Sequence, residues 1–187
     1  MIDTSKFRKG LKVEIDGQPF IMTESQFVKP GKGQAFNRCK FKNLISGATL
    51  ERTYKSGESI AKADIVDEEM QFLYQSGDDY VFMNNRTYEQ LELPSDQLGD
   101  AKNYLTENLE VQIQIWNGKP ISVEPPNFVE LEITQCDPGV RGDTVSGATK
   151  PATMSTGHVV HVPLFIEQGE WLRIDTRTGE YVDRVKK

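Results

Sequence analysis

An all-β protein built as three small barrels is the fold this sequence predicts, and three observations predict it. Short runs that alternate apolar and polar residues recur along the whole chain, turn-forming residues punctuate them, and one short stretch alone carries helical spacing. Composition agrees with small modules. With 187 residues, 37% hydrophobic, 27% charged and 9% aromatic, the chain suits several domains that each bury a modest core under much surface.

Taken in order, the alternating runs are Lys12-Val13-Glu14-Ile15, Tyr80-Val81-Phe82-Met83, Glu110-Val111-Gln112-Ile113-Gln114-Ile115, Val129-Glu130-Leu131-Glu132-Ile133 and Trp171-Leu172-Arg173-Ile174-Asp175. Period two puts alternate side chains on opposite faces, which is a strand signature. Between them lie Asp16-Gly17, Ser76-Gly77-Asp78-Asp79, Asn117-Gly118 and Thr178-Gly179. Such turns favour meanders that close into barrels. Residues 89–93 continue the pattern weakly. A short helix is expected from an N-cap at Ser95, with Leu98, Ala101, Tyr104 and Leu105 on one face despite Gly99.

Pro125-Pro126 cannot join a strand ladder and marks one boundary. A change of charge near Asp64 marks the other. The expected domains are therefore 1–64, 65–126 and 127–187. Residues 1–64 hold 12 Lys+Arg against 7 Asp+Glu, net +5, whereas 65–187 hold 10 against 21, net −11. Within the second part, residues 65–126 are the most acidic, with 3 against 12, net −9. A basic module on an acidic remainder suggests that one end meets a polyanion.

Cys39 and Cys136 form no CxxC pair, which fits a reducing compartment, and both read as buried thiols. No stretch approaches the ~18 apolar residues of a membrane span, and no signal-like segment opens the chain. A cytoplasmic protein without membrane contact is expected. Enzyme chemistry finds no constellation: Asp67-Glu68-Glu69 and Asp78-Asp79 have no nucleophile or base beside them. His158 and His161, three residues apart in a strand, would face opposite ways, so no metal site is expected. Arg141-Gly142-Asp143 matches an adhesion tripeptide by coincidence.

The singular feature is Pro30-Gly31-Lys32-Gly33, a lysine between two glycines where two extended runs, residues 25–29 and 35–42, meet. Proline pre-sets one backbone angle and glycine admits positive φ, so the chain reverses while Lys32 points outward. The spacing is not that of a phosphate-cradling loop, since Gly33 follows the lysine where Ser or Thr is needed. Arg38, Lys40 and Lys42 alternate with Cys39 and Phe41, which gives a basic stripe leading to the turn. With Lys29 and Lys55, the stripe reads either as an ordinary solvated face or as a set of RNA-phosphate contacts. Lys32, judged on local chemistry alone, reads first as an ordinary turn lysine.

Val28-Lys29-Pro30-Gly31-Lys32-Gly33-Gln34-Ala35-Phe36, together with Lys150-Pro151-Ala152 through Gly157, Val162-Pro163 and Gly169, resembles the bacterial elongation factor P family along the whole chain. That family is related to the archaeal and eukaryotic factor that carries hypusine. The resemblance implies an SH3-like first domain and two OB-like domains in an L-shaped, tRNA-like arrangement. It implies a factor that binds the 70S ribosome between the P and E sites, touches ribosomal RNA, and stimulates peptide-bond formation at polyproline stalls by positioning the CCA end of P-site peptidyl-tRNA; an extended three-barrel shape suits a monomer.

On the same grounds Lys32 faces the peptidyl-transferase centre, within a loop of Lys29, Pro30, Gly31, Gly33 and Gln34. The resemblance implies no cofactor but a covalent β-lysyl extension of Lys32, added by a lysine-modifying enzyme. Gly142, Asp143 and Thr144 match a loop near the E-site codon, and Tyr181 and Arg184 match RNA-facing positions. Strict alternation puts Tyr181 and Arg184 on opposite faces, so either a bulge intervenes or one alone makes contact. The rival reading is a stand-alone RNA-binding or RNA-chaperone OB-fold protein, in which Lys32 is an ordinary basic contact.

Overall fold

A computed structural model of the chain describes residues 1–139 and 147–187. The protein is all-β, with three sheets that curl into half-barrels. The first contains β1 (Ile2–Asp3), β2 (Lys12–Ile15), β3 (Gln18–Val28), β4 (Phe36–Asn43), β5 (Thr49–Lys55) and β6 (Ser59–Lys62), in the order β1-β6-β2-β3-β4-β5. The second contains β7 (Ile65–Ser76), β8 (Asp79–Asn84), β9 (Gln90–Pro94), β10 (Glu110–Trp116) and β11 (Lys119–Glu124), in the order β11-β10-β7-β8-β9. The third contains β12 (Phe128–Cys136), β13 (Thr149–Met154), β14 (Val159–Pro163), β15 (Trp171–Asp175) and β16 (Glu180–Val185), in the order β14-β13-β12-β15-β16.

Turn chemistry explains the hairpins. Asp16 and Gly17 take φ +52 and +74, and Asn117 and Gly118 take +49 and +77, the left-handed pairs that reverse a chain in two residues. A second turn type recurs once in each sheet. Asn43 Oδ1 accepts from the backbone N–H of Ile45 and Ser46, Asn84 Oδ1 from those of Arg86 and Thr87, and Asp175 Oδ1 from that of Arg177. Four residues beyond each of these, the N–H of Gly47, Tyr88 and Gly179 returns to the Asx carbonyl at 2.9, 2.9 and 2.7 Å. One local solution thus joins β4 to β5, β8 to β9 and β15 to β16.

The chain forms two compact units, one of residues 1–67 with 114–122, the other of residues 68–113 with 123–187. In the first, Val13, Ile15, Phe20, Met22, Cys39, Phe41 and Ile60 form the core. In the second, Leu131, Ile133, Val162, Ile166, Leu172 and Ile174 are fully buried, and Tyr104 joins them from outside the third sheet. Fully burying each such aliphatic contributes roughly 1.5–3 kcal/mol. Lys150 is also buried, at 6% exposure, and its ammonium donates to the carbonyls of Asp137 and Ile166 at 2.6 and 2.5 Å.

Two expectations need correction. The helical stretch is not one helix: α1 (Ser95–Leu98) ends at Gly99, whose φ +54 and ψ −133 break it, and a 3-10 turn runs from Gly99 to Tyr104. Pro94, not Ser95, is the N-cap, and no side chain caps the helix. The apolar residues are nevertheless buried as their spacing requires, because Leu98, Ala101, Tyr104 and Leu105 all lie at 6% exposure or below. Second, Cys136 is half-buried at the end of β12, where it packs against the rim of a core that has already closed, while Cys39 is fully buried. Both are free thiols. Among the described residues no helix is long and apolar enough to cross a membrane.

Candidate functional site

The β3–β4 hairpin outruns the first core. From Met22 to Phe41 the two strands cover the core, but the ladder continues through Ser25↔Cys39, Gln26↔Arg38, Phe27↔Asn37 and Val28↔Phe36. β5 runs alongside as far as Phe36↔Lys55. The loop at the tip spans residues 29–35, slightly wider than the sequence suggests, because pairing stops at Val28 and resumes at Phe36. Lys29, Gly31, Lys32, Gly33 and Gln34 are exposed and Pro30 is half-buried.

Gly33 closes the loop at φ +117, where a side chain is strained whatever the space; a Cβ would meet Pro30 Cγ at an ordinary 3.7 Å. The C-terminal side of the loop is moored. Gln34 Nε2 donates to the Ser56 carbonyl at 3.3 Å, and the Ser56 N–H donates to the Ala35 carbonyl at 3.0 Å. Lys32, two residues earlier, is thus presented from a fixed base with nothing covering it.

Alternation along β4 is as expected. Asn37, Cys39, Phe41 and Asn43 are buried, whereas Arg38, Lys40 and Lys42 are exposed on the other face. Lys55, opposite Phe36, extends this stripe at the end nearest the tip. Between Ser25 and Leu50 the chain has no Asp or Glu, so the charged side chains of the loop itself are all positive. Lys40 is the tempered member: Glu24 lies 3.1 Å away and holds its ammonium above the ordinary lysine range. An exposed pair of this kind is screened by water and adds little, so the core rather than the ion pair holds the hairpin. Among the described residues Arg38 and Lys42 form no ion pair. Burial pushes the Cys39 thiol up, which leaves it protonated and inert beneath the stripe.

Thr23 is an extra residue between the pairs Met22↔Phe41 and Glu24↔Lys40. This bulge reverses the parity of β3, so Phe27 falls on the face of Cys39 and Phe41 instead of the basic face. That face has no core left to cover it at the tip, and Phe27 is 61% exposed. Strict alternation counted from Met22 gives the opposite orientation, which is why sequence reasoning misses this residue.

A second bulge settles the geometry of Tyr181 and Arg184. β15 and β16 pair through Leu172↔Arg184, Arg173↔Asp183 and Ile174↔Tyr181, so Val182 is the unpaired residue. Since Leu172 and Ile174 share a face, so do Tyr181 and Arg184. Tyr181 packs half-buried against the core, and that burial raises its phenol. Arg184 is exposed, bonded to Glu170 at 3.2 Å and placed over the Phe165 ring at 5.0 Å. Gly142, Asp143 and Thr144, with the Arg141-Gly142-Asp143 tripeptide, lie outside the described residues.

Comparison with known proteins agrees along the whole chain. Residues 3–60 match the family model of the elongation factor P KOW-like domain, 65–123 that of the elongation factor P OB domain, and 129–184 that of the elongation factor P C-terminal domain. The protein is 52% identical over 186 residues to elongation factor P of Syntrophus aciditrophicus (strain SB), covering 100% of both chains. Among solved structures it resembles eukaryotic translation initiation factor 5A from Methanococcus jannaschii, with TM-score 0.57 and 25% identity over 66% of this chain and 91% of that one. A translation initiation factor eif-5a family protein from Naegleria fowleri, at 19% identity and TM-score 0.52 over 66% of this chain and 96% of that one, supports the fold alone. Matched over its full length and in each of its three sheets, the chain belongs to the elongation factor P family, translation elongation factors and not enzymes.

Proposed function

We propose that this elongation factor acts at ribosomes stalled on consecutive prolines, where Lys32 at the hairpin tip orders the CCA end of P-site peptidyl-tRNA. The observation that carries this reading is an uncovered lysine on a moored loop, in a stretch of chain with no Asp or Glu from Ser25 to Leu50. Such a tip suits the phosphate-lined surroundings of a tRNA end. Proline is a poor participant in peptide transfer because its ring restricts the reacting chain. Orienting two reactants lowers a barrier by up to roughly 7–11 kcal/mol without the protein donating a chemical group. The ribosome keeps the chemistry.

A β-lysyl extension of Lys32, added by a modifying enzyme, lengthens the reach and adds donors for phosphate and ribose. Gly142, Asp143 and Thr144 approach the E-site codon, and Tyr181 and Arg184, which share one face, face RNA. The protein works as a monomer in the cytoplasm, beside the ribosomes it serves. Sedimentation tests this reading against the stand-alone RNA chaperone: the full-length protein is expected to travel with 70S particles stalled at consecutive prolines and to relieve the stall. Equal binding to single-stranded RNA without ribosomes, and no relief, overturns it.

A further inference from the structure

We infer that the Phe27 ring is a stacking platform for an unpaired nucleobase at the 3′ end of the tRNA, a contact that rests on the hairpin reading above and adds a second recognition element to it. The ring is 61% exposed at the last pair but one of the β3–β4 ladder. Its face is the continuation of the core row of Cys39 and Phe41, past the point where the barrel has material to bury it. Its cross-strand neighbour Asn37 is only 7% exposed, so the ring stands beside a filled surface and not in a cleft. The Thr23 bulge is what aims it there.

Charge selects the occupant. Lys29 and Lys32 come within five residues of Phe27 on a stretch with no Asp or Glu from Ser25 to Leu50, whereas Lys55, paired with Phe36, stands on the opposite face with the basic stripe. An exposed aromatic face among cations is the combination that binds unpaired nucleotides, the ring taking a base and the cations the backbone. Lys32 and Phe27 then hold one RNA end by two different means, charge and stacking.

Peptide-bond formation on ribosomes stalled at consecutive prolines tests the contact, using full-length Phe27→Ala, Phe27→Leu and Phe27→Trp, with Lys32→Ala alongside. Loss of one stacked base predicts about a tenfold higher half-saturating factor concentration for Ala and Leu, with Trp near wild type. Replacing the unpaired nucleotides of the tRNA one at a time by abasic residues is expected to find one position where wild type falls to the level of Phe27→Ala and Phe27→Ala falls no further. Wild-type behaviour of Phe27→Leu, or full additivity at every abasic position, overturns the inference. So does a Phe27→Leu defect that vanishes once Lys32 peptides of equal mass are compared, because the ring then serves a modifying enzyme. Lys32→Ala without effect on synthesis sinks the hairpin reading instead, and leaves the abasic coupling to decide for Phe27. Circular dichroism and thermal unfolding of each variant establish that the exposed substitutions leave the fold intact.

Discussion

Among the described residues Tyr88 sits at the one turn of its kind that lacks glycine. Its φ is +61, and the equivalent residues in the other two sheets are Gly47 and Gly179. A tyrosine there carries the strain of the left-handed region, and at 73% exposure its ring recovers little by packing. Tyr88→Gly is expected to stabilise the protein by up to about 1 kcal/mol, the relief of strain exceeding the entropy that glycine adds to the unfolded chain. Urea denaturation monitored by circular dichroism checks it: the midpoint should rise, and an unchanged or lower midpoint refutes the strain argument. At this scale the sequence was partly legible. Asp16-Gly17 and Asn117-Gly118 announced their turns by residue type, whereas Asn84 and Tyr88 form the same turn as Asn43 and Gly47 without the glycine that signals it.

At the scale of elements, strands were legible because one face of each is buried and alternation records that fact. β2, β8, β10, β12 and β15 fall where period two places them. The bulge at Thr23 was not legible, since an extra residue changes parity without changing composition, whereas that at Val182 stood as one of two alternatives for Tyr181 and Arg184; each reverses the facing of the rest of its strand. The break at Gly99 was visible as a residue but not as a consequence, because burial of Leu98 and Tyr104 is satisfied equally by α and 3-10 geometry. In the hairpin, alternation of Arg38, Lys40 and Lys42 was plain, but the neutralisation of Lys40 by Glu24 depends on the shifted register and could not be read. Arg38 and Lys42 are therefore the members of the stripe expected to meet phosphate. Arg38→Gln with Lys42→Gln is predicted to weaken ribosome binding and to lower its log–log salt slope by about 0.7–0.9 for each phosphate left without its cation. Lys40→Gln, whose charge is shared with Glu24, should change the slope less. An equal loss from all three substitutions contradicts this division.

Charge is what the whole molecule adds. The first 64 residues carry net +5 and residues 65–126 net −9, and ten of the twelve carboxylates in the latter are exposed. An acidic surface of this kind repels RNA phosphate, which on the proposed function limits engagement to the basic module and to selected positions of residues 127–187. Within that module, everything the strands and turns do converges on presenting one uncovered amine from a moored loop. On the proposed function, Lys32 orders a tRNA end with which it never reacts. Single-turnover synthesis of a proline–proline bond on purified ribosomes, with protein isolated from its native cells, measures this most directly. Lys32→Ala is expected to fall to the rate without factor while still binding the stalled ribosome; a rate equal to wild type refutes the ordering role.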